Sequence, residues 1–265
     1  MNAITLIKLG GSLITDKRVE SSYRVEVAHR IADEIAAAYH DARMPLIIGH
    51  GSGSFGHFAA HRHRTMQGVE TPDQWRGFAE VAAAAANLNA LFTTTLRAAG
   101  LPIMRMQPSA SMQCRNGAIV SMGLEPIKQA LEHGLIPLVY GDVAFDDVKG
   151  GTIASTETIF TYLVQHLDAV RVILVGEVPG VYDSQQNVIP EITPSNVEEY
   201  RVFLGGSAGT DVTGGMLTKV SDMLALVTQH TGLRVQIIDG SQSGVLQSVL
   251  SDPYKTAHGT LIHAG

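Results

Sequence analysis

The chain has one cysteine and one tryptophan in 265 residues. It has no apolar run near the roughly 18 residues a membrane span requires. A lone Cys114 excludes an internal disulfide, so the expectation is a fold held by its core, in a reducing compartment such as the cytoplasm. Positive charge is also scarce: 19 Lys and Arg face 25 Asp and Glu, a net of −6. That balance argues against the broad basic face of a nucleic-acid platform and restricts any anion site to a local patch. The start, MNAITLIKLGGSL, has a lysine inside its apolar run and no small-residue cleavage site, so it reads as a first strand and not as a leader. No Pro-rich linker or fixed-period repeat interrupts the chain, and the one low-complexity tract is Ala82 to Ala86.

Hydrophobic residues make up 45%, charged residues 17%, and glycine occurs 27 times. Such a composition buries a core, and the glycines mark places where backbone turns or comes close to a ligand. Short Ile/Leu/Val-rich runs fall at Ile4 to Leu9, Pro45 to Ile48, Pro102 to Met106, Leu135 to Tyr140, Val170 to Val175 and Val235 to Ile238. Between them lie segments of helical period: Ala28, Ile31, Ala32, Ile35, Ala36 and Tyr39 form one stripe, and further helices are expected at about 73 to 99, 124 to 133, 155 to 167 and 214 to 231. This alternation predicts an α/β fold, a three-layer αβα sandwich with a central, mainly parallel sheet. Val143 to Ala154, with Asp146, Asp147 and Gly150-Gly151 at its centre, reads as a β-hairpin flap. A single domain over residues 1–265 is expected, with an N-lobe to about 168 and a C-lobe from about 169.

Three glycine-rich segments carry the chemistry. Lys8-Leu9-Gly10-Gly11-Ser12 follows the first strand, with Thr15-Asp16-Lys17 close behind. Paired glycines after a buried strand let N–H groups line a concavity suited to phosphate oxygens. Gly49 to His57 (GHGSGSFGH) follows the second run and contains a G-x-G-x-x-G string. Residues 58 to 72 hold no strand that would complete a dinucleotide-binding βαβ unit, so the segment reads as a phosphate cradle. His57, His61 and His63 raise a metal site, the first two one helical turn apart, but no cysteine lies nearby and no H-E-x-x-H pattern supports zinc. Gly205 to Lys219 delivers Gly214 and Gly215 to a helix start whose dipole favours an anion, with Thr213 as the expected N-cap and Lys219 in the first turns. None of the three matches G-x-x-x-x-G-K-[ST].

Together these motifs resemble the amino acid kinase family over nearly the whole chain. Lys8-x-Gly10-Gly11-Ser12, Gly176-Glu177-Val178-Pro179-Gly180-Val181-Tyr182-Asp183, Thr193-Pro194 and Asp211-x-Thr213-Gly214-Gly215-Met216-x-x-Lys219 fall in the family's order. Glu177 stands where an aspartate is commoner, and Ala154-Ser155-Thr156-Glu157 where Ser-Gly-Asp is more frequent. The segment Gly51 to His57, Asp16-Lys17 and Gln107-Pro108-Ser109 are most similar to members whose acceptor is isopentenyl phosphate, a small phosphate monoester. A fosfomycin-resistance kinase shares the histidine, and a non-catalytic nucleotide sensor or storage module is the reading from another class.

The resemblance implies ATP as donor, Mg²⁺ bridging its phosphates with few protein ligands, and a homodimer, with no nucleic acid or membrane partner. It places Lys8, Gly10, Gly11, Ser12, Gly53, Glu177, Asp183, Gly214, Gly215 and Lys219 at ATP, with Lys17 following the transferring phosphoryl group. Gly51, Ser52, Gly53, His57 and Thr156 fall at the acceptor's phosphate, Phe78 and Val81 at its apolar tail, and Asp142 is expected to orient the lysines.

Overall fold

The computed structural model describes residues 3–42, 44–204, 215–252 and 258–265. In chain order these form β1 (Ile4–Leu9), α1 (Gly11–Ile14), α2 (Val25–Ala42), β2 (Leu46–His50), α3 (Gly53–His63), α4 (Pro72–Ala98) and β3 (Ile103–Arg105). There follow β4 (Gln113–Arg115), β5 (Ala118–Ser121), α5 (Glu125–Glu132), β6 (Ile136–Tyr140), β7 (Asp142–Asp146), β8 (Gly150–Ala154) and α6 (Thr156–His166). The remainder is β9 (Ala169–Gly176), β10 (Glu191–Ile192), α7 (Val197–Leu204), α8 (Gly215–Gln229), β11 (Arg234–Asp239), α9 (Val245–Ser251) and β12 (Thr260–Ile262).

The central sheet has the order β10-β12-β11-β9-β1-β2-β6-β3, parallel from β11 across to β3, with β12 antiparallel to β11. Alternate residues along each strand feed two cores, as a sheet covered on both faces requires. Ile4, Leu6, Ile47, Val172 and Leu174 pack with α5, α6 and α8 on one face. Ile7, Leu9, Ile48, Ile173 and Val175 pack with α1, α2, α4 and α9 on the other. The expected three layers are therefore present. The expected hairpin is β7–β8, and it extends into a four-stranded second sheet, β5-β4-β7-β8, that the sequence reading did not contain.

Two local features fix how the helices meet the sheet. Thr71 caps α4: its side chain accepts from Gln74 N while the Gln74 side chain answers the Thr71 backbone, and Pro72 fills the first helical position. Gly49 on β2 faces α6, where an added Cβ would lie 2.6 Å from the Phe160 ring and 2.7 Å from Thr156 Cγ2. The missing side chain lets the start of α6 rest directly on the sheet beside Lys8, which is in register with Gly49.

Candidate active site

β1 has β2 on one side and β9 on the other, so the chain leaves the centre of the sheet in two directions. A crevice at the carboxyl ends of the strands follows from that topology, and the glycine turns after β1 and β2 open there. The first two turns touch. A Cβ on Gly11 would lie 2.5 Å from Gly53 N, so glycine is required for the loops to close on each other. Gly53 has φ +51, and Thr15 locks it in place. The Thr15 hydroxyl donates to Gly11 O at 2.7 Å and accepts from Ser54 N at 3.0 Å.

The leading glycine of each turn has a structural role that corrects the expected set of phosphate donors. Gly10 N donates to Val175 O at 2.8 Å, and Gly51 N donates to Leu9 O at 3.0 Å. Both N–H groups extend the parallel ladder. The open donors begin one or two residues later, at the starts of α1 (Gly11, Ser12) and α3 (Gly53), where helix geometry gives N–H groups no intrahelical partner.

Lys8 lies on the α6 face of β1 and its Nζ donates to Glu157 Oε1 at 2.6 Å. Burial pushes the Glu157 carboxyl up, but the charges of Lys8 and Lys219 outweigh it and hold the group below the ordinary glutamate range. Lys219, half-buried on α8, adds its positive field to that of Lys8 at this carboxylate. His57 is exposed on α3 at the mouth of the second turn. Desolvation by its surroundings, then the positive fields of Lys17 and Lys8, holds its imidazole below the usual histidine value, with Glu157 opposing. Lys17 is exposed in a turn fastened to α3: Ser21 N donates to Ser54 O, and Arg62 pairs with Glu20 at 2.7 Å. Three lysines, one carboxylate and one imidazole therefore form a single electrostatic group at the carboxyl edge of β1 and β2.

The structure gives several of the expected site residues partners within the protein. The lysine partner is Glu157. The Asp142 carboxylate is buried and accepts from Ser109 N at 3.1 Å and Val143 N at 2.9 Å, and burial raises it above the usual aspartate value. Thr156 is buried and its hydroxyl donates to His50 O at 2.7 Å, so that side chain joins two elements inside the protein. Glu177 pairs with Arg24 at 2.7 Å at the rim. The Asp183 carboxylate accepts from Asn187 N and Gln185 N, which hold it below the ordinary value and close its own turn. Gly215 opens α8 with φ +60, and a Cβ added there would meet none of the described residues within 4 Å, whereas Asp211, Thr213 and Gly214 lie outside the described residues.

Phe78 and Val81 are buried in a separate apolar cluster with Ala59 of α3, Val69 and Val143 of the hairpin. Trp75 and Phe145 extend it, with ring centroids 5.3 and 5.4 Å from Phe78. The cluster begins two residues beyond His57 on the same helix. Sequence reasoning did not single out His50, Thr15 or Glu157 as functional. His50 adjoins a glycine motif and Glu157 fills the family's acidic position, but Thr15 carried no signal.

The family model described as Amino acid kinase family matches residues 3–239. The chain is 33% identical over 255 residues to the isopentenyl phosphate kinase of Methanothermobacter thermautotrophicus, covering 92% of this chain and 94% of that one. It is 35% identical to the Haloferax volcanii isopentenyl phosphate kinase over 225 residues, 84% of this chain and 88% of the relative. Among solved structures, one described as isopentenyl phosphate kinase superposes with a TM-score of 0.78 at 28% identity, covering 98% of this chain and 99% of that one.

Proposed function

The chain belongs to the amino acid kinase family, and from that premise we propose that it transfers the γ-phosphoryl group of ATP to isopentenyl phosphate, giving isopentenyl diphosphate and ADP. The observation that carries this reading is the Lys8–Glu157 pair beside two interlocked glycine turns, with the positive fields of Lys219 and Lys17 reaching Glu157 and His57 respectively. The acceptor's second pKa lies near 6, so its phosphate is largely dianionic at pH 7 and attacks without a strong general base. What the reaction requires is relief of repulsion between two anions, and phosphoryl transfer depends chiefly on positioning and charge neutralisation.

In this reading Lys8 and Lys219 hold the β- and γ-phosphate oxygens, with Glu157 orienting both ammonium groups. Lys17 follows the transferring group. The γ-phosphorus bond to the bridging oxygen breaks, its electron pair stays on ADP, and an acceptor phosphate oxygen forms the new bond. His57 and the N–H groups at the start of α3 hold the acceptor, whose tail enters the Phe78–Val81 cluster. The N-lobe to about residue 168 carries the acceptor and the C-lobe the nucleotide. Mg²⁺ brought in with ATP would supply further neutralisation of the phosphate charge and would need few protein ligands. A homodimer in the cytoplasm completes the proposal. Among the described residues no helix is long and apolar enough to cross a membrane.

A coupled ADP-release assay with isopentenyl phosphate, dimethylallyl phosphate and fosfomycin tests the reading. Turnover with isopentenyl phosphate well above that with fosfomycin is expected. Turnover of fosfomycin alone, or ATP binding without turnover of any acceptor, overturns it.

A further inference from the structure

His50 is fully buried at the carboxyl end of β2, immediately before the second glycine turn. Its side chain follows the parity of Leu46 and Ile48 and so points to the α4 face, away from Lys8. There its ring stacks on Tyr140, with centroids 5.8 Å apart and an interplanar angle of 11°, and meets the Phe92 edge at 5.7 Å. Both ring nitrogens are engaged. Nε2 lies 3.0 Å from Asn89 Nδ2, and Nδ1 lies 3.0 Å from Gly51 O. An amide nitrogen only donates and a carbonyl only accepts, so these partners select one tautomer: Nε2 accepts and Nδ1–H donates. Burial keeps the ring uncharged, with its pKa pushed down to about 4.

The backbone of the same residue is tied in the other direction. His50 O accepts the Thr156 hydroxyl at 2.7 Å and Gly141 N at 3.1 Å. Thr156 precedes Glu157, which holds Lys8. Residue 50 therefore stands between α4 and the α6 start and bonds to the glycine that opens the acceptor-side turn. Among the described residues no second donor reaches Gly51 O.

We propose that His50 is a positioning residue: through Nδ1–H it sets the peptide between Gly51 and Ser52, and so aims the acceptor-side turn and His57 at the incoming phosphate monoester. The inference rests on the acceptor reading above for its substrate. Its geometry concerns the turn itself. A side chain that merely filled the core at this point would be replaceable by any ring of similar size. A positioning residue is replaceable only by a group that still donates at Nδ1, and asparagine places an amide N–H near that position.

The test compares His50→Phe, His50→Asn and Asn89→Leu in the full chain, by steady-state kinetics with isopentenyl phosphate and ATP varied separately and by thermal melting. His50→Phe is expected to raise the acceptor KM at least about tenfold, the factor that the loss of one such bond corresponds to. The ATP KM should stay within about twofold, and His50→Asn should recover most of the acceptor affinity despite packing less well. Asn89→Leu keeps His50 and its bond to Gly51 O but removes the donor that braces Nε2, and should shift the acceptor KM in the same direction by less. An acceptor KM for His50→Phe equal to that of the wild type, or acceptor and ATP KM values that rise together as the melting temperature falls, overturns the proposal. If the wild type does not turn over isopentenyl phosphate, the acceptor reading alone fails. The positioning claim is then decided by NMR of the wild type, His50→Asn and His50→Phe: an Nδ1–H tautomer in the wild type, with Gly51 and Ser52 amide signals held in His50→Asn and displaced in His50→Phe, supports it, and an Nε2–H tautomer or unmoved Gly51 and Ser52 signals in His50→Phe refutes it.

Discussion

Acidification removes stability through His50 in an amount that follows from its burial. The folded protein holds the imidazole at about pKa 4, against 6.5 for an unperturbed histidine, because a fully buried ring cannot be solvated as a cation. The group's contribution is complete above pH 6.5. As pH falls, the unfolded chain takes up a proton at residue 50 and the folded one does not, so stability drops until the folded ring itself protonates near pH 4. The gap of about 2.5 pH units, at 1.36 kcal/mol each, bounds the loss at about 3 kcal/mol, of which about 2 kcal/mol is lost between pH 7 and pH 5. Carboxylates also titrate in the lower part of this range, so the effect is isolated by difference. Urea denaturation of the wild type and His50→Phe at pH 7, 6 and 5 should show the stability gap moving by about 2 kcal/mol in favour of the variant as pH falls. A gap that stays constant over this range refutes the assignment of a buried neutral imidazole.

Other perturbations separate chemistry from stability. Glu157→Gln leaves Lys8 without its charged partner and should lower kcat about a hundredfold, the scale of a misplaced catalytic group, with a smaller change in ATP KM; retention of kcat within about threefold contradicts the pairing. Gly49→Ala drives a methyl to 2.6 Å from the Phe160 ring and lifts the start of α6, so a loss of about 1–3 kcal/mol in urea denaturation is expected together with reduced kcat. Lys17→Ala removes an exposed side chain, so unfolding free energy should hold within about 0.5 kcal/mol while turnover falls steeply; a stability loss without loss of turnover would assign Lys17 to the fold.

Most of the sheet is legible in the sequence because its strands are buried on both faces and read as continuous Ile/Leu/Val runs. β1 coincides with its run, and β2, β6, β9 and β11 lie within a residue or two of theirs at each end. The elements that went unread are short. β4, β5, β10 and β12 have two to four residues, too few for a period, and they exist because neighbouring strands supply their partners. The glycine turns and lysines were legible as motifs, since a strand ending in glycine beside a lysine is a local pattern. The Lys8–Glu157 pair spans 149 positions and depends on Gly49 admitting α6, which no local pattern encodes. Asp142 follows Tyr140-Gly141 and so looked available to the lysines, but the same turn buries it against Ser109. Gly10 and Gly51 looked like phosphate donors for a similar reason, and their N–H groups instead complete the ladder with Val175 and Leu9.

The account rests on His57 facing the acceptor while the lysines face the donor, and His57→Ala tests that division most directly. A hydrogen bond to a charged group contributes about 1.5–3 kcal/mol, so removing the imidazole should raise the KM for isopentenyl phosphate by about ten- to a hundredfold and leave the KM for ATP within about twofold. Equal losses for both substrates would contradict it.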